Sequence, residues 1–380
     1  GGKRGVSPVT RRTGTSSPWF IFSWFRGRKG ILPGGGAWGW AAWLRWWRGS
    51  KLVTVKWAGL PLWTALTFLV GLFVLVRKVE IVGRPYHRTV PPSRRNYRLI
   101  AVADLHGDFR SAMQCLQMAQ VVDRGGKWIA GNARVVQLGD VVDRGSDSIR
   151  LMKALLKLQK DAYAAGGRLE MLIGNHELLY LAGDFTYASE NEMRTLGKGN
   201  LTLGQNLYRK LFAAEGALGK TFLERPVAVV MGQGRCRSLF VHGGFQAPFL
   251  QNSSSLDIVN QKVSDFLHSG LITELLSNSS QSFDFEKSLL AREGPIRYRG
   301  YAMLSRREIC PELDNLLAIL SVERMIVGHT VQKKGPRVRC NGRLILIDTG
   351  VSRNVNGMQV VWECSGGESR FLSNADSSKS

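Results

Sequence analysis

Six times between Leu99 and Gly350 a short apolar run breaks off into a loop of Asp, His, Asn and Gly. The six are LIAVADLHGD (99–108), RVVQLGDVVDRG (134–145), RLEMLIGNHE (168–177), SLFVHGG (238–244), RMIVGHT (324–330) and RLILIDTG (343–350). Runs of Val, Ile and Leu without a polar alternation read as strands buried on both faces. Polar groups released at their carboxyl ends fall where α/β sheets open their ligand crevices. Helical patterns lie between the runs, as in Ile149, Met152, Leu155, Leu156 and Leu158 after DRGSDS and again from Asn206 to Ala214. Strands alternating with helices predict an α/β domain whose polar loops converge on one site.

The loop residues define the chemistry of that site. Asp104 and His106 are two apart at a strand end, so both side chains leave the same face and can share a cation. The two oxygens of Asp140 can bridge that cation to a second one, for which Asn175, His242 and His329 supply an amide oxygen and two imidazoles. Nitrogen and oxygen donors without thiolate favour manganese first, with iron or zinc next, over calcium. Two metals about 3.5–4 Å apart, with a hydroxide between them, suit in-line attack on phosphorus. Arg144 and Arg299 offer planar forks for phosphoryl oxygens. His176 is placed to protonate the leaving alkoxide, with Asp143 orienting and charging its ring. Any one histidine is more often structural, but four of the six in the chain follow an apolar run into a Gly- or Asn-containing loop. The other two, His87 and His268, read as surface residues.

DLHGD, GDVVDRG, GNHE, HGG and GHT occur in that order, and the set resembles the signature of the metal-dependent phosphoprotein phosphatases among the calcineurin-like metallophosphoesterases. GNHELLYLAGDFTY, LGKTFLERPVAVV and REGPIRYRGYA (292–302) are most similar to the Shewanella-like phosphatase branch. The resemblance implies a sandwich of two mixed β-sheets flanked by helices, a dinuclear metal centre with the roles just given, and hydrolysis of phosphate esters on protein Ser/Thr or Tyr, phosphotyrosine among them. Two departures stand out. Ala103 replaces the usual Gly of the first motif, with little effect expected, and Ile296-Arg297 replaces Leu-Trp, where Arg297 adds affinity for acidic phosphorylated ligands. A dinucleoside polyphosphate hydrolase shares the metal motifs and is the runner-up.

The formal charge of +23 is unevenly spread. Residues 1–95 hold 17 Lys/Arg and a single acid, Glu80, together with nine of the 11 Trp. Residues 1–56 read as a basic, disordered or targeting segment that need not belong to the working protein. Trp57 to Val76 carries no charge over 20 residues, enough to span a bilayer as a single transmembrane helix with Trp57 and Trp63 at the interface. Residues 77–97 then form a linker, 98–364 the metallophosphatase domain and 365–380 a disordered tail. The basic arm also admits a nucleic-acid binder, a weaker reading, so the expected partners are a phosphorylated protein and a membrane. Oligomeric state is left open. Tyr187–Arg225 and Asn252–Ser282 read as a helical cap. AEGALGKT (214–221) mimics a nucleotide-binding loop but follows a helix, so it reads as a helix end capped by Gly219. Asn200, Asn252 and Asn278 begin glycosylation acceptor sequences that matter only in a secretory lumen. The five widely spaced cysteines, without C-x-x-C, read as neither a disulfide framework nor a zinc site.

Overall fold

The structure is a computed structural model that describes residues 97–251, 255–272 and 285–373. The uncharged stretch 57–76 lies outside these residues, as do the basic arm, the linker up to residue 96 and His87. Among the described residues no helix is long and apolar enough to cross a membrane.

The first half alternates as read: β1 (Leu99–Val102), α1 (Phe109–Met118), β2 (Arg134–Gln137), α2 (Ser148–Ala164), β3 (Arg168–Met171) and α3 (Asn175–Leu181). Three helices follow, α4 (Glu190–Leu196), α5 (Leu201–Phe212) and α6 (Lys220–Leu223). The second half runs β4 (Ala228–Met231), β5 (Ser238–Val241), α7 (Pro248–Gln251), α8 (Leu256–His268), α9 (Phe285–Leu290), α10 (Gly300–Met303) and α11 (Arg306–Leu320). It closes with β6 (Arg324–Val327), β7 (Arg337–Arg339), β8 (Leu344–Leu346), β9 (Val360–Ser365) and β10 (Glu368–Ser373).

The described strands form two mixed sheets, in the orders β10-β9-β1-β2-β3 and β4-β5-β6-β8-β7. Within them β1-β2-β3 are parallel, as are β5-β6-β8, and the remaining pairs are antiparallel. Successive side chains of a strand leave opposite faces, which explains the unbroken apolar runs. Leu99, Ala101, Val136, Phe240, Ile326, Ile345 and Trp362 share one core layer containing residues of both sheets, while Ile100, Val102, Val135, Val241, Val327 and Leu346 pack with residues of the helices. Ala103 is fully buried in the layer shared by the sheets, so its methyl group adds packing and takes no part in the loop beyond.

Three expectations are corrected here. Cys236, in the turn before β5, is bonded to Cys364 on β9, and Cys310 on α11 is bonded to Cys340 ahead of β8. The first bridge joins the two sheets between residues 128 apart in sequence, a separation at which spacing carries no pairing signal. Residues 368–373, expected in a disordered tail, form β10, because Gly366 and Gly367 adopt φ of 62° and 91° and turn the chain back as a hairpin against β9. Gly219 does not end a helix; it leads into α6. The helix before it spans Leu201–Phe212 and starts where Asn200 caps it, its side chain accepting from Leu203 N at 3.0 Å.

Candidate active site

All ten residues singled out from the sequence come together around one pocket or its walls. Nine are delivered by strand ends: Asp104 and His106 after β1, Asp140, Asp143 and Arg144 after β2, Asn175 and His176 after β3, His242 after β5, His329 after β6. Arg299 enters from the start of α10. A pocket of ≈ 110 Å³ is lined by His106, Asp140, Arg144, Asn175, His176, Arg299 and His329, together with Val331, Asp348 and Val355.

The loops hold this geometry at some cost. His106, Asp140, Asp143, Arg144 and His329 all have positive φ, between 43° and 75°, a region costing side-chain-bearing residues of order 1 kcal/mol each. Hydrogen bonds between the loops hold them there. Leu105 and His106 N–H donate to Asp140 O at 3.0 Å, Arg144 N–H donates to Tyr187 O at 2.8 Å, and His329 N–H donates to Asp104 Oδ1 at 3.1 Å. Gly139, with φ of 99°, passes so near the next loop that a Cβ there would lie 2.7 Å from Gly174 N.

Each imidazole is fixed through the nitrogen it does not aim at the centre. His106 Nδ1 is 3.1 Å from Val142 O and His242 Nδ1 is 2.8 Å from Leu138 O, which leaves both Nε2 atoms turned toward Asp140, where they can serve a cation. His329 is held the other way round, through Nε2 at 3.1 Å from Arg297 O. His242 Nε2 lies 3.3 Å from Asp140 Oδ2 and 3.2 Å from Asn175 Oδ1. Donor atoms of His106, Asp140 and His176 lie within 4.8 Å of one another, as do those of Asp140, His242 and His329, so Asp140 belongs to both groups. His176 Nε2 is 3.9 Å from Asp140 Oδ2, as near as His106 Nε2 at 4.0 Å. The two rings differ on the far side, where His176 Nδ1 meets the buried carboxylate of Asp143 and His106 meets only a carbonyl.

The electrostatics follow from burial and from these contacts. Burial pushes His106 down to about 3 and His329 down to about 2, the latter reinforced by His242. Burial works against charge on His242 and His176 as well, but Asp140 and Asp104 lift His242 to about 10, and Asp140 and Asp143 raise His176 above its usual value. Asp140 is buried too, yet His242 and His176 hold it well below the carboxylate range. Burial and neighbouring carboxylates raise Asp104, and burial raises Asp348 to about 6.

Two buried acids carry weight that the sequence reading did not give them. Asp348 ends the β8 run and lines the pocket, with Oδ1 accepting from Gly350 N–H at 2.9 Å and Oδ2 buried without a hydrogen-bond partner. It lay in the sixth repeat, RLILIDTG, where the repeat pattern itself was the signal. Glu177, the last residue of GNHE, is fully buried. It accepts from Asp140 N–H at 2.9 Å, Val141 N–H at 2.8 Å and Gly174 N–H at 2.8 Å, tying the β2 loop to the β3 loop.

This donor set fits divalent cations. Asp104, Asp140 and Asp348 are buried together, and among the described residues no Lys or Arg pairs with any of them. Three carboxylates in a low-dielectric pocket need compensating positive charge. Asp348 has a spare oxygen, Asn175 a neutral one, and the imidazoles have free nitrogens, a combination suited to first-row divalent metals.

Such a sandwich, with hard and borderline donors gathered at its strand ends, defines a metal-dependent hydrolase of phosphoesters. The calcineurin-like phosphoesterase family matches residues 97–333. An uncharacterized protein of Schizosaccharomyces pombe is 34% identical over 265 residues, covering 69% of this chain and 75% of its own length. Shewanella-like protein phosphatase 2 of Arabidopsis thaliana is 29% identical over 294 residues, covering 70% and 74%. The solved cold-active protein-tyrosine phosphatase of a psychrophilic Shewanella shares the fold, with a TM-score of 0.60 at 24% identity over 73% of this chain and 81% of that one. The chain belongs to the calcineurin-like phosphoesterase family.

Proposed function

We propose that the chain is a phosphoprotein phosphatase that hydrolyses phosphomonoesters of Ser/Thr or Tyr. On this reading Asp104, His106, Asp140, Asn175, His242 and His329 hold two divalent cations, manganese foremost, with Asp348 closing the carboxylate side. Cations bound there supply Lewis acidity and a water nucleophile active at neutral pH. Arg144 and Arg299 grip the phosphoryl oxygens, and Arg299 is aimed by donating Nη1 to His329 O at 2.9 Å and to Thr330 Oγ1 at 3.1 Å. The leaving oxygen takes its proton from His176.

The observation that carries this reading is the His176–Asp143 pair. Its carboxylate favours the imidazolium, the form needed to protonate an alkoxide, and fixes Nδ1 so that Nε2 faces the pocket. His106, by contrast, has only the carbonyl of Val142 behind its ring. The match to a Shewanella-like protein phosphatase supports a protein substrate. The uncharged stretch 57–76 supports a single-pass membrane anchor.

The test is the dependence on leaving group. His176→Asn should lower kcat on phosphoserine peptides by about 10²–10⁴-fold, but far less on p-nitrophenyl phosphate, whose phenolate leaves without a proton. Equal losses on both would remove His176 from the acid role. Faster turnover of diadenosine tetraphosphate than of any phosphopeptide would replace the protein substrate with a dinucleotide.

A further inference from the structure

Outward from the pocket rim the surface becomes strongly basic. Residues 294–307 and 331–343 contain nine Lys/Arg and no Asp or Glu. The fold lays these segments together: Arg299 reaches His329 O and Thr330 Oγ1, Arg337 Nη1 donates to Ala302 O at 3.2 Å, and Arg339 Nη2 donates to Leu304 O at 2.6 Å. Arg299 belongs to the pocket, Arg339 is a buried donor to carbonyls, and Arg343 is paired with Asp314 at 2.7 Å. Arg306, Arg307, Lys333, Lys334 and Arg337 are exposed, and none forms an ion pair among the described residues.

Apart from Asp314, the acids bordering this surface form no ion pair with its bases among the described residues. Glu308 spends its carboxylate on Ser305 N–H at 2.8 Å, Glu312 is half-buried against Tyr298 and Tyr301, and Glu293 stands outside the two segments. Arg339 records the crowding, since burial and then Arg337 and Arg306 hold its guanidinium below the usual range. Like charges left uncompensated on one face destabilise the free chain and attract an anionic partner.

The surface begins at the pocket itself. Val331 lines the pocket, Gln332 N–H donates to Asp348 O at 2.7 Å, and Gly335 N–H donates to Gln332 O at 3.1 Å, so Lys333 and Lys334 form the tip of a turn anchored on the pocket wall. Two to three residues of chain reach no more than about 10 Å. Met303, Leu304 and Val338 are exposed at 74%, 42% and 44% amid the charges, which suits a polypeptide with side chains better than a bare polyanion.

We infer that this face docks an acidic stretch of the substrate polypeptide beside the phosphorylated residue, with the Lys333–Lys334 turn and Arg337 gripping its carboxylates. This rests on the phosphoprotein reading above and sets the substrate class of the same site, phosphoproteins with acidic flanks.

The experiment uses the full, metal-loaded chain and two phosphopeptides with the same phosphorylated residue, one flanked by four Asp/Glu and the other by four Gln. The acidic peptide should show about tenfold higher kcat/KM, carried by KM, from several screened surface pairs acting together, and the advantage should shrink at high salt. Lys333→Gln/Lys334→Gln/Arg337→Gln should abolish the preference with p-nitrophenyl phosphate turnover unchanged, and Lys333→Glu/Lys334→Glu should reverse it. Equal rates on the two peptides in the parent chain, or a preference surviving in the triple variant, would overturn the inference. So would a triple variant that keeps its peptide ratio but loses binding to phosphatidylserine vesicles, since lipid would then be the occupant. Hydrolysis of p-nitrophenyl phosphate with no hydrolysis of either phosphopeptide would instead remove the phosphoprotein reading, and this inference with it.

Discussion

Removing the Glu177 carboxylate should damage the protein more than any other single change in the loops around the pocket. It accepts three backbone N–H groups, from Asp140, Val141 and Gly174, and stands 3.5 Å from the guanidinium of Arg225. Arg225 is buried and otherwise meets the sulfurs of Met152 and Met171 and the ring of Phe222. Glu177→Ala therefore strands one buried charge, at about 3–5 kcal/mol, and three donors, at about 1–3 kcal/mol each where water cannot enter. The methylene cavity admits some water, so a total of about 4–6 kcal/mol is the reasonable figure, a large share of a typical domain's ~5–15 kcal/mol. With a urea m value of about 3 kcal/mol/M the midpoint should fall by about 1.3 M or more. Glu177→Gln loses the charge and sets its NH2 against Val141 N–H but keeps one carbonyl oxygen for the N–H groups of Asp140 and Gly174, so its fall should be smaller. Pairing Glu177→Met with Arg225→Met should recover part of the loss, because the stranded charge disappears with its partner. Urea unfolding with disulfides intact reads all three. A shift under about 0.4 M for Glu177→Ala, or strict additivity in the double variant, would refute the reasoning.

The Asp108–Arg353 fork gives a pH-dependent term. Burial opposes ionisation of Asp108, but Arg353 and Ser111 hold it down to about 2. Because the folded value lies below the unfolded ~3.9, this stability is full above about pH 4 and is lost as pH falls through 2. With Arg353 half in solvent its size should be about 1–2 kcal/mol, and Asp108→Asn should flatten that part of a plot of urea midpoint against pH. A chelator should abolish turnover and lower Tm, since cations that bind only the folded chain stabilise it by mass action. Add-back of manganese, iron or zinc then ranks the metals, and an unchanged Tm would count against a buried cation site. Cys236→Ser/Cys364→Ser opens a closure between residues 128 apart and should cost about 2–5 kcal/mol, visible as a lower Tm with the pocket chemistry preserved.

What the sequence disclosed, it disclosed through burial. Strands enclosed on both faces have no polar alternation, so their ends stand out wherever Asp, His or Asn begins, and Asp104, His106, Asp140, His242 and His329 were legible for that reason. Contacts that depend on assembly left no such trace. Cys236 and Cys364 meet only because the two sheets pack together, and Glu177 looks like an ordinary residue of a helix's first turn until the β2 loop closes over it. β10 was the exception, since the Gly366-Gly367 pair was a turn signal in plain view, obscured by the Ser-rich stretch after it. The sequence reading already set Asp143 behind His176, and what it did not show is how alike the surroundings of His176 and His106 otherwise are. His106 and His176 both follow apolar runs and both stand about 4 Å from Asp140. Burial keeps His106 neutral beside its carbonyl, whereas Asp140 and Asp143 favour the charged form of His176. A strand end supplies the imidazole, and a carboxylate behind the ring, brought there by a different loop, favours the charged form that can give up a proton.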